Sequence, residues 1–215
     1  MVHTPARLYL MRHGEVSNPE RVYYGQSDVP LSDAGRQQSL AAAQNLQGID
    51  VSFILSSDLS RCRFMAEAIG RQIGVTPVCS ERLREVDFGQ WTGLSWEQIE
   101  QRYPGMFQRR MEDLEGFRPP GGESLHDLCD RVVPEIEGAL AGREGENVVV
   151  VAHGGVNRVF IASVLQIPLS NVFSLDQGLA CTNVLDMFPD GVAVLRALNL
   201  PWYMEKGRLA DYAVV

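Results

Sequence analysis

The chain has 215 residues, with 45% hydrophobic and 21% charged side chains, the composition of a globular protein able to bury a full core. Its formal net charge of −8 disfavours nucleic acid or an anionic membrane as partner, because both call for a basic surface; a small anion held by the local field of a cleft stays open. No apolar run approaches the roughly 18 residues of a membrane span, and the first ten residues read as an immediate strand rather than a signal peptide.

Short apolar runs alternate with longer helical patterns. Arg7–Met11 (RLYLM) is nearly continuous in apolar residues, as in a central strand covered on both faces. Residues 32–46 open with a serine suited to N-capping and predict a helix ending before Gly48. Val51–Leu55 (VSFIL) reads as a second strand, and residues 59–73 as a second helix capped by Ser57 or Asp58. From about 80 to 141 the texture changes. This stretch holds Pro104, the breaker Arg118-Pro-Pro-Gly-Gly122 and short amphipathic pieces, with Trp91 and Trp96 placed to pack it. It is read as a cap insertion over one end of the sheet within a single domain of residues 1–215. Ser124-x-x-Asp127 resembles a capping box for a helix to about residue 140, which Pro134 should kink or divide. Val148–Ala152 (VVVVA) predicts another buried strand, residues 155–165 a helix, and residues 182–188 and 192–198 two strands joined by a Pro189-Asp-Gly191 turn. The alternation predicts a three-layer α/β/α sandwich on a mostly parallel sheet.

Ligands of open α/β sheets bind beyond the carboxyl ends of the strands. Arg12-His13-Gly14-Glu15, Ser56-Ser57-Asp58-Leu59-Ser60-Arg61 and His153-Gly154-Gly155 all fall at such ends. Segments far apart in sequence therefore deliver two histidines and two arginines to one edge. A phosphate monoester carries close to two negative charges, and the planar guanidinium binds two of its oxygens without losing a proton. Gly154 and Gly155 allow close backbone approach at a helix amino terminus. A neutral histidine can attack phosphorus, a second can donate to phosphoryl oxygens, and a carboxylic acid such as Glu85 can protonate the leaving alkoxide. His3 and His126 are expected to be exposed or structural. The four cysteines, Cys62, Cys79, Cys129 and Cys181, show neither a C-x-x-C pair nor metal-ligand spacing; reduced, mostly buried thiols in a cytoplasmic protein are expected.

The ordered segments LYLMRHGE, YYGQSDVPLSDAGRQQ, LSSDLSRCRFMAEAI, LREVDFGQWTGLSWEQI, PPGGES and VVVVAHGGV resemble the histidine phosphatase superfamily, also called phosphoglycerate-mutase-like, across nearly the whole chain. The resemblance implies His13 as nucleophile, Arg12, Arg61 and His153 as phosphate ligands, Glu85 as proton donor, and no metal or organic cofactor. One departure stands out. Many members place asparagine seven residues after the arginine of the R-H-G motif, where this chain has Pro19 preceded by Asn18. Asn18 and Gln26 are candidate pocket residues, Gly154 lies beside the phosphate, and Glu15 supports the loop.

Three functions follow. A metal-independent phosphomonoesterase would pass phosphate from a small metabolite through phosphohistidine to water. A cofactor-dependent phosphoglycerate mutase would return it to another hydroxyl, and a silent binding protein would do neither. The LREVDFGQWTG frame and the PPGGES loop resemble the phosphatase branch, which includes α-ribazole phosphatases and broad-specificity phosphatases. The E-x-H-Y-G-like segment of mutases is absent, since Val86-Asp87-Phe88-Gly89 follows Glu85. Neither the substrate nor the oligomeric state can be read from this pattern.

Overall fold

The computed structural model describes residues 4–203 and 209; His3 lies outside them. Among the described residues there are six strands, β1 (Ala6–Arg12), β2 (Val51–Ser57), β3 (Val78–Ser80), β4 (Asn147–Ala152), β5 (Thr182–Met187) and β6 (Ala193–Leu200). They form one sheet in the order β3-β2-β4-β1-β5-β6. The three pairings from β3 to β1 are parallel, and the two that add β5 and β6 are antiparallel. The antiparallel pairing of β5 with β6 follows from the Pro189-Asp190-Gly191 turn between them, where Gly191 has φ 85° and donates to the Phe188 carbonyl at 3.0 Å.

The α-helices are α1 (Asp33–Gln44), α2 (Ser60–Ile73), α3 (Trp96–Arg102), α4 (Met106–Glu112), α5 (Leu125–Leu140) and α6 (Gly154–Val164). Side chains alternate across the strands, so the continuous apolar runs feed both faces. Leu8, Leu10, Val148 and Val150 pack with α5 and α6 in one core. Tyr9, Met11, Val149 and Val151 pack with α1 and α2 in the other. The three-layer sandwich on a mostly parallel sheet is thereby established.

One local expectation is corrected and another is narrowed. Helix α2 is N-capped by Leu59 without a side-chain bond, not by Ser57 or Asp58. Strand β2 extends through Ser57, whose hydroxyl meets His153, and the Asp58 carboxylate accepts from Arg84 Nε at 2.8 Å. Helix α5 is not divided at Pro134. Proline costs about 3 kcal/mol in a helix interior, but Pro134 and Asp130, whose carbonyl loses its partner, both lie on the exposed side. The opposite face buries Leu128, Val132, Ile136 and Ala139, each large apolar side chain contributing roughly 1.5–3 kcal/mol. All four cysteines are free thiols; Cys62 and Cys181 are buried, Cys129 is half-buried and Cys79 is exposed. The His126 side chain is 58% exposed.

Residues 80–141 separate into parts. Helix α5 joins the layer beside α6, whereas residues 84–123 lie against the loops that leave β1 and β4. Tyr23 donates to the Leu94 carbonyl and accepts from Gly93, while Gln90 and Glu123 donate to Pro120 and Asp87 carbonyls. Trp91 is fully buried against Phe117, and Trp96 remains 48% exposed. Gly89 needs its missing side chain: its φ is 52°, and a Cβ there would strike the backbone of residues 120–122.

Candidate active site

Parallel pairing of β1 with β4 sets Arg12 opposite Ala152. The ladder runs one step further, since the His13 N–H donates to the Ala152 carbonyl at 3.1 Å. His13 and His153 therefore leave adjacent strands side by side, with ring centroids 5.1 Å apart. Strand β2 flanks β4 on its other side and brings Ser57 and the start of α2, with Arg61, to the same end.

His13 is 1% exposed. Its Nδ1 lies 2.6 Å from the Gly14 carbonyl. A carbonyl only accepts, so Nδ1 carries the proton and Nε2 keeps its lone pair. Burial, then the Arg61 and Arg12 charges, push the pKa of this histidine from 6.5 to about 3, so the ring is neutral at neutral pH. His153 is shifted strongly in the same direction, first by burial and then by the charges around it. Its Nδ1 accepts from Arg61 Nε at 3.4 Å and its Nε2 lies 2.9 Å from Ser57 Oγ.

Arg61 is wholly buried. Its terminal nitrogens donate to the Ser27 and Gly25 carbonyls at 2.7 Å each, and its guanidinium lies 5.0 Å from the Tyr24 ring centroid. Arg12 donates through Nη1 to the Gln177 carbonyl, while its buried Nε has no acceptor among the described residues. Neither arginine forms an ion pair with a carboxylate among those residues. Burying cations without counter-charge is costly. A site with two such arginines and an unused donor is electrostatically matched to a dianion.

Glu85 enters from the covering segment. Its Oε2 accepts the Gly155 N–H at 3.1 Å and its Oε1 accepts its neighbour's N–H, from Val86, at 3.0 Å. Gly155 stands in the first turn of α6, where N–H groups have no intrahelical acceptor. The glycine pair acts as expected in permitting close approach, with a division of labour the sequence did not show. Gly154 lies beneath the Arg12 guanidinium, whereas Gly155 accommodates Glu85.

Asn18 and Gln26 are placed differently. The Asn18 amide closes its own loop, donating to the Val22 carbonyl at 2.9 Å and accepting the Val22 N–H at 3.1 Å. Gln26 lies between Gly25 and Ser27, whose carbonyls hold Arg61. Glu15 accepts from Ser32 Oγ at 2.6 Å, a loop-supporting contact.

Three contributors escaped the sequence reading. Arg158 brings Nη1 within 3.1 Å of the point a Cβ on Gly154 would occupy, beside the Arg12 guanidinium at 3.4 Å. Its spacing of four from Gly154 in one helix was the available signal. Arg131 grips the Glu123 carboxylate and donates to the Arg82, Arg84 and Glu85 carbonyls at 2.7–2.9 Å. Ser57 meets His153. Among the described residues, no group of three or more His, Cys, Asp or Glu side chains could hold a metal ion, and no helix is long and apolar enough to cross a membrane.

The chain belongs to the histidine phosphatase superfamily, branch 1, which it matches over residues 8–200. The fold, and the two histidines and two arginines gathered at its strand ends, accord with that membership. A mycobacterial glucosyl-3-phosphoglycerate phosphatase superposes with a TM-score of 0.81 at 32% identity, covering 91% of this chain and 99% of the other. An α-ribazole phosphatase from Shigella flexneri superposes with a TM-score of 0.81 at 25% identity, covering 90% and 96%. In sequence, a Salmonella choleraesuis protein named as a probable phosphoglycerate mutase is 32% identical over 75% of this chain and 76% of its own length. A bifunctional protein of Mycobacterium tuberculosis is 30% identical over 94% of this chain, which spans only 56% of that relative's length.

Proposed function

We propose that the chain hydrolyses a small phosphate monoester through a phosphohistidine on His13 Nε2, with no metal taking part. The observation that carries this reading is the neutral His13 ring, protonated at Nδ1 by its bond to Gly14, beside Arg12 and Arg61. Nε2 attacks phosphorus in line, forming the P–N bond as the P–O bond to the leaving group breaks. Glu85, entering as the carboxylic acid, gives its proton to the departing alkoxide. Water then attacks the phosphohistidine, Glu85 takes back a proton, and inorganic phosphate leaves. Arg12 and Arg61 neutralise the equatorial oxygens in both steps. In binding phosphate, His153 exchanges its Ser57 contact for a phosphoryl oxygen. Asn18 and Gln26 act one step back, through the loop that carries the Arg61 acceptors. The chemistry suits the phosphate esters named for the two structural neighbours.

The test is phosphate release from alkyl and aryl monoesters with chelator present, together with trapping of acid-labile, base-stable phosphate on the protein. His13→Ala should abolish both. Labelled phosphoprotein at normal levels in that variant would overturn the nucleophile assignment.

A mutase is the second reading, favoured by the Salmonella relative. Conversion of 3-phosphoglycerate to the 2-isomer, dependent on priming by 2,3-bisphosphoglycerate, would establish it; phosphate release alone would exclude it.

A further inference from the structure

Beyond Glu85 the site opens into a cavity of about 300 Å³. Glu85 and Gly155 belong both to its wall and to the catalytic cluster. A leaving group departing past Glu85 enters this space.

The walls combine aromatic rings with cations: Phe88, Phe117 and Phe173 with Arg110 and Arg158. Three separate elements supply the rim, with Arg110 on α4, Arg158 on α6 and Phe173 on the 3-10 turn Leu169–Ser174 that follows α6. The two guanidinium carbons lie 5.7 and 5.6 Å from the Phe173 centroid. Stacking of this kind holds a guanidinium while leaving its N–H edge available. Arg158 is further fixed by its Nε donating to the Leu175 carbonyl at 2.9 Å.

Neither Arg110 nor Arg158 is ion-paired to a carboxylate among the described residues, whereas Arg82, Arg84, Arg118 and Arg131 each are. Both are half-buried. Their charged forms are disfavoured chiefly by desolvation; for Arg158 the Arg12 charge adds to this, against the smaller opposing pull of Glu85 and Asp176. Phe173 is 52% exposed although it borders this cavity. Like charges gathered at a partly desolvated aromatic rim are unfavourable until an anion joins them.

Building on the phosphatase reading, we infer that Arg110 and Arg158 select phosphate esters whose leaving group carries a second anionic group beside an apolar face. The phosphate sits on Arg12, Arg61 and His13, the apolar body lies against the three phenyl rings, and the second anion meets the rim.

Three aryl probes test this: 4-carboxyphenyl phosphate, its near-isosteric neutral amide 4-carbamoylphenyl phosphate, and hydroquinone bisphosphate. One or both anionic probes should show kcat/KM at least about tenfold above the amide, as expected of a charge-assisted contact. Which of them is favoured tells whether carboxylate or phosphate is the second anion. The ratio should collapse toward one in R110Q and R158Q. It should also shrink as salt rises in the unmodified enzyme, a measurement that needs no variant. A ratio near one in the unmodified enzyme, with p-nitrophenyl phosphate hydrolysed normally, would overturn the selection and leave the phosphatase reading standing. A preference that survives in both variants would overturn it as well. No turnover of p-nitrophenyl phosphate at all would overturn the phosphatase reading, and this inference with it.

Discussion

Glu85 rests against the bare Cα of Gly155: its Oε2 accepts the glycine N–H at 3.1 Å, and a Cβ on Gly155 would overlap its Oε1. The backbone of one element thus sets the position of a carboxyl group from another. Gly155→Ala should leave the fold intact and displace Glu85, lowering kcat on alkyl phosphates about 100-fold, the scale of an ångström's misplacement. A variant with normal kcat on alkyl esters would show that Glu85 does not need this seat.

Glu85→Gln keeps the shape and removes the transferable proton. On alkyl esters, whose leaving groups are poor, the loss should be roughly 10²–10⁴-fold, the usual range for general acid catalysis. Aryl phosphates leave without a proton and should lose far less. Equal losses on both would argue against an acid role.

Arg131 touches none of the reacting atoms, yet it donates to the Arg82, Arg84 and Glu85 carbonyls while gripping Glu123. It is a positioning residue for the segment that carries Glu85. Arg131→Gln should cost roughly 1–3 kcal/mol of stability, because it leaves the part-buried Glu123 carboxylate and three carbonyls without their donor. At temperatures where the variant is still folded, alkyl esters should suffer more than aryl ones. Uniform losses on both substrates would reduce Arg131 to a structural prop.

Protonation of His13 gives a fourth prediction. Its pKa is about 3 in the folded chain against an ordinary 6.5. Between those values the unfolded chain binds more protons, so this group makes stability rise with pH through the window and adds no further pH dependence above it. His153 acts in the same direction. On acidification from pH 7 to 5 the native protein should lose more stability than His13→Asn, as measured by urea unfolding. Long-range ¹H–¹⁵N NMR at pH 6 should show a neutral His13 with the proton on Nδ1; an imidazolium signal there would refute the tautomer assigned from Gly14.

Much of this protein was legible in its sequence because the signals are local. Runs such as RLYLM and VVVVA can satisfy only a strand covered on both faces, and each ends in a His-Gly step, so the edge bearing His13 and His153 followed from pattern alone. The Ser124 capping box and the Pro189-Asp-Gly turn were readable for the same reason. Tertiary structure decided what depends on contacts between distant segments. Pro134 stays within an undivided α5 because its disrupted side faces solvent while the other is buried. Asn18 turns to Val22, and Glu85 finds its seat only where the covering segment meets α6. The rim of Arg110, Phe173 and Arg158 comes from three elements, each reading alone as ordinary surface or packing. Sequence periodicity determines which face of an element is buried; which side chains then converge depends on register and packing across the whole chain. The pair of strand-end histidines was therefore legible in the sequence, and the shape and charge of the pocket around them were not.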